Sequence, residues 1–237
     1  MSKRLILLVA ASLLAFLAPR STGFAQESGG GAATKNNLDL PFNAGGKPEE
    51  EEEAPEIVIF FGQQYEGDGI FFSCDKSGSM NEAGKWPKLQ REMVKNITQF
   101  SERVQFGIVF FDAGMFKFPA SGRPADANPA MKAAGVAMVM STQPGHGTCA
   151  KPALNQCLNY ATQSSAKRKL IIHLSDGWNT CGGADDATVS PQILSEITQR
   201  NTQRVHINTI GFGDPVNEDF MKKLASMNNG QYAHVSG

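Results

Sequence analysis

Short apolar runs that do not alternate with polar residues are the feature that most restricts how this 237-residue chain can fold. Such runs are typical of strands that are buried on both faces, as in a parallel sheet covered by helices. The chain contains five of them, at residues 57–61, 70–74, 106–111, 170–174 and 205–210, and residues 231–235 are a sixth candidate strand. These runs predict a sheet that lies inside a folded domain.

Segments with helical periodicity separate the predicted strands. One helical face is formed by residues spaced three or four apart: Trp86, Leu89, Met93, Ile97 and Phe100. Residues 154–161 and 193–197 repeat this pattern, and Asn217 is a suitable N-cap for a last helix. Strands and helices that alternate in this way predict a doubly wound α/β fold with a mostly parallel central sheet flanked by helices. Ligands of such folds bind outside the carboxyl ends of the strands.

The N-terminus has the pattern of an export signal. Lys3 and Arg4 precede an apolar run at residues 5–18, which is too short for a typical membrane-spanning helix and is followed by small residues. We therefore predict a signal peptide over residues 1–25, cleaved before Gln26. The alternative is an uncleaved N-terminal anchor. Either way we expect an exported protein, periplasmic or extracellular, that is tethered to the membrane if the signal is not cleaved.

The next segment has the composition of a linker. Residues 26–56 contain several glycines and an acidic run at 49–53, with almost no apolar periodicity. This composition predicts a disordered acidic linker. The remaining segment, residues 57–237, is predicted to be the one folded domain.

The charge of that domain argues against two classes of partner. Residues 57–237 carry 17 basic and 15 acidic side chains. Surfaces that bind nucleic acid or anionic membranes need a clustered excess of lysine and arginine. We therefore predict no nucleic-acid partner and no membrane-lipid binding beyond the possible N-terminal anchor.

Oxygen-bearing side chains lie in loops at the predicted carboxyl edge of the sheet. They are Asp75, Ser77 and Ser79 after one strand, Thr148 after a crossover, and Asp176 after a further strand. Because these loops meet at one edge, we expect the five side chains to lie close together. Two carboxylates and three hydroxyls are hard donors that favour Mg²⁺ or Mn²⁺ over zinc. The alternative is that the hydroxyls cap helices and that Asp176 closes a turn.

These residues resemble a known family signature. The sequence Asp-Lys-Ser-Gly-Ser-Met at residues 75–80, followed by Thr148 and Asp176, resembles the metal-ion-dependent adhesion site of the von Willebrand factor type A domain family. That signature is Asp-x-Ser-x-Ser with a later Thr and a later Asp. The resemblance covers about residues 55–237 and includes the segments at 209–213 and 229–232. It implies the family's Rossmann-like fold.

The resemblance also implies roles for the five residues. Ser77, Ser79 and Thr148 would ligate the cation through their hydroxyls, whereas Asp75 and Asp176 would act mostly through bound waters. A carboxylate of a partner protein would take the sixth position. The resemblance thus implies a metal-dependent adhesion module that binds a protein offering an acidic side chain. The signal and the layout of the chain predict a bacterial exported protein. Because a serine-hydrolase elbow and a P-loop are missing from the sequence, we predict that it is not an enzyme.

The four cysteines allow three full pairings, which the sequence does not distinguish. Cys149 directly follows Thr148, and Cys181 lies five residues after Asp176, so both belong to loops at the same predicted edge. We hypothesise a bond between them that ties the two loops together. Cys74 and Cys157 are expected to be small buried core residues.

Two neighbouring side chains and two other functions complete the predictions. Lys76, inside the motif, is expected to face solvent, with pairing to an acid of the partner as the alternative. His146 is expected to be an exposed loop residue, with a place beside the open coordination position as the alternative, and no histidine is nominated as catalytic. An envelope assembly or scaffold subunit is one alternative function. A phosphatase-like hydrolase using Asp75 is the other, although that class needs a second aspartate where Ser77 stands.

Overall fold

The computed structural model describes residues 54–236, so the predicted signal peptide and nearly all of the predicted linker lie outside the described residues. The strands are β1 Ile57–Phe60, β2 Gln63–Glu66, β3 Gly69–Asp75, β4 Gln105–Phe111, β5 Met115–Phe118, β6 Ala125–Asp126, β7 Lys169–Ser175, β8 His206–Phe212 and β9 Tyr232–Val235. The α-helices are α1 Lys85–Gln99, α2 Pro129–Ser141, α3 Ala150–Gln163, α4 Asp186–Arg200 and α5 Glu218–Ser226. Within residues 54–236, the helices are too short or too polar to span a lipid bilayer.

The central sheet of the described region has seven strands. β5, β4, β3, β7, β8 and β9 lie side by side in that order, and β6 pairs with β4. β3 runs parallel to both β4 and β7, and β7, β8 and β9 continue the parallel pairing, whereas β5 and β6 are antiparallel to β4. All residues of β3 are buried, as expected for a strand at the centre. The predicted mostly parallel sheet is confirmed.

Helices cover both faces of this sheet. Successive residues of a strand point to opposite faces, and in β3 Phe72 belongs to the apolar cluster with α1 and α2, whereas Phe71 belongs to the cluster with α3, α4 and α5. The predicted face of α1 is buried, including Leu89 and Met93. Burial of each such side chain contributes about 1.5–3 kcal/mol. Helix α5 begins at its predicted N-cap, because Asn217 Oδ1 accepts a hydrogen bond from Phe220 N.

The first apolar run differs from its prediction. β1 pairs antiparallel with β2 in a separate two-stranded sheet. It buries Val58 and Phe60 but leaves Ile57 and Ile59 exposed, which is the pattern of a strand covered on one face only. The prediction of a strand buried on both faces is therefore wrong for residues 57–61. The alternation is hidden in the sequence because the exposed positions are also apolar.

Helix α2 has no counterpart among the predicted elements. It begins at a recognisable signal, since Asn128 Oδ1 accepts a hydrogen bond from Met131 N and Pro129 is the first helical residue. Its interior is rich in alanine and methionine, and only Gly135 and Val139 of the helix are fully buried. An apolar stripe therefore does not stand out from the sequence.

Candidate metal site

Asp75 is the last residue of β3 and is completely buried at the carboxyl edge of the sheet. Its Oδ1 accepts a hydrogen bond from Ser77 N at 2.7 Å, and its Oδ2 accepts one from Ser175 Oγ at 2.7 Å. Burial, and secondarily the charge of Asp176, raises the pKa of Asp75 to about 7. The site thus contains a desolvated carboxyl group fixed by two donors.

A row of oxygen atoms connects the motif after β3 to the loop after β7. Ser77 Oγ lies 3.1 Å from Ser79 Oγ, and Ser79 Oγ donates a hydrogen bond to Asp176 Oδ2 at 2.8 Å. Ser77 occupies the position before a 3₁₀ helix but makes no side-chain cap. Asp176 does close a turn, as its Oδ1 accepts a hydrogen bond from Trp178 N at 3.3 Å. Asp75, Ser77, Ser79 and Asp176 are therefore brought together.

Thr148 lies in the loop between α2 and α3, and its backbone is held against the other site loops. Thr148 N donates to Thr180 Oγ1 at 3.2 Å, and Thr148 O accepts from Thr180 N at 2.7 Å. Gly145 N donates to Lys76 O at 2.6 Å, which joins the same loop to the motif. In the part of the chain that the structure describes, the Thr148 hydroxyl is not hydrogen-bonded to the other four predicted ligands.

A disulfide bond joins Cys149 to Cys181 across the same two loops. The hypothesised pairing is confirmed, and Cys74 and Cys157 are buried free thiols as expected. Each bonded cysteine directly follows one member of the Thr148–Thr180 pair. The loop that carries Thr148 and the loop that carries Thr180 are therefore joined by a disulfide bond and two hydrogen bonds at adjacent residues.

Lys76 does not face solvent, so that prediction is wrong. Its side chain is buried, its Nζ forms an ion pair with Asp112, and it lies 4.5 Å from the centroid of the Phe116 ring. Burial opposes ionisation of Asp112, but the hydrogen bonds from Lys76 and from Gly114 N, together with the charge of Lys76, outweigh it and lower the pKa of Asp112. A Cβ atom at Gly145 would collide with both partners of this pair, so a side chain there would displace them. His146 is exposed, as expected.

The donor set fits a small hard cation. Mg²⁺ has octahedral ligands at 2.0–2.1 Å, so neighbouring ligand atoms lie ~2.9 Å apart, close to the separations of Ser77 Oγ from Ser79 Oγ and of Ser79 Oγ from Asp176 Oδ2. Neither Asp75 nor Asp176 takes part in the ion pairs found within residues 54–236. Residues 54–236 also contain no cluster of three or more His, Cys, Asp or Glu side chains that could bind a metal ion. The fit thus depends on the hydroxyls.

Three residues of this site were missed by sequence reasoning. Ser175 orients Asp75, Thr180 holds the Thr148 backbone, and Asp112 pairs with Lys76. Asp112 directly follows β4 and so lies at the carboxyl edge of the sheet. The position of a residue just after a buried strand also identified the other loops of the site. Ser175 could also have been noted, since it ends β7 beside Asp176. Nothing in the sequence around Thr180 indicates its role.

Comparisons with solved structures agree with this fold. The chain is similar to a von Willebrand factor type A protein from Catenulispora acidiphila, with a TM-score of 0.63 and 19% identity over 72% of this chain and 39% of that one. For the pilus adhesin SpaC from Lactobacillus rhamnosus GG the TM-score is 0.56, with 15% identity over 70% of this chain and 27% of the other. For the manganese-loaded TRAP protein of Plasmodium vivax the TM-score is 0.53, with 17% identity over 71% of this chain and 68% of the other.

These structures share the fold, and this chain spans less than two thirds of the first two. Comparison with curated protein sequences gave no match. The family model for the von Willebrand factor type A domain matches residues 69–236, which include the whole central sheet. The chain belongs to the von Willebrand factor type A domain family.

Proposed function

We propose that this protein is an exported, metal-dependent protein-binding module of the adhesion type. The observation that carries the proposal is the joined set of hydroxyl and carboxyl oxygens at the carboxyl edge of the sheet, in which Ser79 links the motif after β3 to Asp176 after β7. This is the edge at which doubly wound folds bind ligands.

In this proposal Asp75, Ser77, Ser79, Thr148 and Asp176 hold one Mg²⁺ or Mn²⁺ ion. When bound, the cation supplies a positive centre that attracts a carboxylate oxygen of the partner. Three of the five donors are uncharged hydroxyls, which leave much of the positive charge available to that carboxylate. Ser175 keeps Asp75 in place through the hydrogen bond to its Oδ2. The partner is a protein that presents an acidic side chain.

The proposed organisation is a signal peptide at residues 1–25, an acidic linker at 26–56 and the type A domain at 57–237. Two similar structures support the parts of the proposal that concern surface location and metal. One is described as a pilus adhesin and another as a manganese-loaded protein. We propose binding and not catalysis as the activity of the domain.

Titration calorimetry with Mg²⁺ and Mn²⁺ tests the cation site. Wild-type protein should bind one ion, and Asp75→Asn should weaken binding at least tenfold because it removes the buried charge. Asp214→Asn is the matched control, since Asp214 is an exposed aspartate that follows β8 at the same edge. Failure of the wild type to bind either ion, or equal binding by Asp75→Asn, would contradict the site.

Capture from an envelope extract tests the protein-binding role. The full chain should retain a partner in Mg²⁺ or Mn²⁺ and release it in a chelator, and Asp75→Asn should retain none. A complex that a chelator does not disturb would instead favour an assembly or scaffold subunit. Hydrolysis of an aryl phosphate that is lost in Asp75→Asn would favour the phosphatase-like alternative.

A further inference from the structure

A groove adjoins the candidate metal site and plays no part in the function proposed above. It lies between β5 and the carboxyl end of α2 and has a volume of about 610 Å³. Its lining includes Lys76, Met115, Phe116, Lys117, Met138 and Thr142. The groove begins at the motif itself, because Lys76 stands between Asp75 and Ser77 in the chain.

The groove exposes apolar surface. Phe116 is 52% exposed, although it is a large aromatic residue, and Met138 of α2 also lines the groove. Asp112 balances the charge of Lys76, and the described lining contains no carboxylate. The ammonium group of Lys117 lies beside Gly122 and Gln156, on the face of the sheet that α3 covers. The groove surface is therefore complementary to an apolar side chain of a bound segment.

The groove is also within reach of a segment that occupies the metal site. Lys76 extends from the motif to the Phe116 ring and lies 4.5 Å from its centroid. The motif and the Phe116 ring are therefore separated by about the length of one lysine side chain plus that distance. About three residues of extended chain can span this separation. β5 ends the order of strands in the described sheet, so an extended segment can approach along its outer side.

We infer that the groove is a specificity pocket for the same partner that the metal site binds. The occupant is an extended segment of another protein that carries an acidic residue and, about two to four positions away, an apolar residue. The carboxylate reaches the cation, and the apolar side chain covers Phe116. This inference rests on the proposed function and adds the sequence class of the partner.

Selection from a random dodecapeptide phage library tests the inference. The probe is the library itself, applied to the immobilised full chain in Mn²⁺. We expect enriched peptides to share an acidic residue and an apolar residue at a fixed separation. Phe116→Ser should keep the acidic residue and lose the apolar preference. Met140→Ser is the matched control, because Met140 is an exposed residue of α2 that is not in the groove lining, and it should keep both.

One enriched peptide, synthesised and titrated against each variant, gives the size of the effect. Phe116→Ser should raise its Kd about tenfold, since one buried apolar contact is lost. The affinity for Mn²⁺ alone should stay within about twofold, which separates the groove from the cation site. Met140→Ser should leave both constants unchanged.

The possible failures are distinguishable. Peptides that share an acidic residue without any apolar preference would overturn the groove and leave the metal-dependent function standing. The same holds if the apolar preference survives in Phe116→Ser. Enrichment that persists in a chelator or with Asp75→Asn would overturn the proposed function and the groove together, as would the absence of any Mn²⁺-dependent enrichment.

Discussion

His173 is a buried histidine near the middle of the sheet, and only one of its two ring nitrogens has a hydrogen-bond partner among the described residues. Its Nδ1 lies 3.0 Å from Ser73 Oγ, and its ring stacks on Phe111 with centroids 5.5 Å apart. Nε2 has no hydrogen-bond partner within the described region. Burial lowers the pKa of His173 to about 3, so the folded protein keeps this side chain neutral down to strongly acidic pH.

His173 should make the fold sensitive to acid. Its pKa in the unfolded chain is about 6.5, so between pH 6.5 and 3 the unfolded state binds a proton that the folded state does not. The stability linked to His173 is complete above pH 6.5 and falls by about 1.4 kcal/mol for each pH unit below it. Between pH 7 and 5, urea unfolding should show the wild type losing about 2 kcal/mol more than His173→Asn.

Comparing these two proteins isolates the histidine. Asp75 has a raised pKa and so acts in the opposite direction, stabilising the folded state as pH falls from 7 towards 4. It is present in both proteins and cancels in the difference. Equal losses of stability in wild type and His173→Asn would show that the imidazole takes up its proton equally well in the folded protein.

Individual site residues differ in how well the sequence predicted them. The proximity of Asp75, Ser77 and Ser79 could be predicted because they are neighbours in the chain and follow an obvious buried strand. The orientation of the Lys76 side chain could not be predicted, because it depends on Asp112 and Phe116. These residues lie near Lys76 only because β3 pairs with β4 and β4 pairs with β5. A side chain's partner is a tertiary property, and the local sequence does not contain it.

The two loops that carry Thr148 and follow Asp176 behave as one element because the Cys149–Cys181 bond joins them. We expect replacement of both cysteines by serine to weaken Mn²⁺ binding about tenfold, since the Thr148 hydroxyl would be less well positioned. The free energy of unfolding should fall by about 2–4 kcal/mol, because the bond closes a loop between residues 32 apart. Calorimetry and urea unfolding measure the two effects.

Reduction supplies the control for this prediction. A reductant should weaken Mn²⁺ binding by the wild type to the level of the double variant, and should not affect the variant itself. Unchanged Mn²⁺ affinity in the variant would mean that the hydrogen bonds between Thr148 and Thr180 position the loop without the disulfide.

Whole elements were predicted well where burial leaves a clear pattern. β3, β4, β7 and β8 have covered faces on both sides and therefore read as unbroken apolar runs. β5 and β6 are short antiparallel additions at one side of the sheet, and α2 has no strong apolar stripe. The sequence did not reveal these three elements, nor β2. Two of them, β5 and α2, form the groove beside the candidate metal site.

At the scale of the whole molecule, a cation bound at this edge should stabilise the entire fold, because it binds the folded state and not the unfolded chain. At an ion concentration 100 times Kd the gain is about 2.7 kcal/mol, which for a folded region of this size should raise the Tm by about 5–10 °C. Scanning calorimetry of wild type and Asp214→Asn should show this rise in Mn²⁺, and a chelator should reverse it. Asp75→Asn should show almost none. An equal rise in Asp75→Asn would place the stabilising cation elsewhere on the protein, and the two carboxylates would then need another explanation for their proximity.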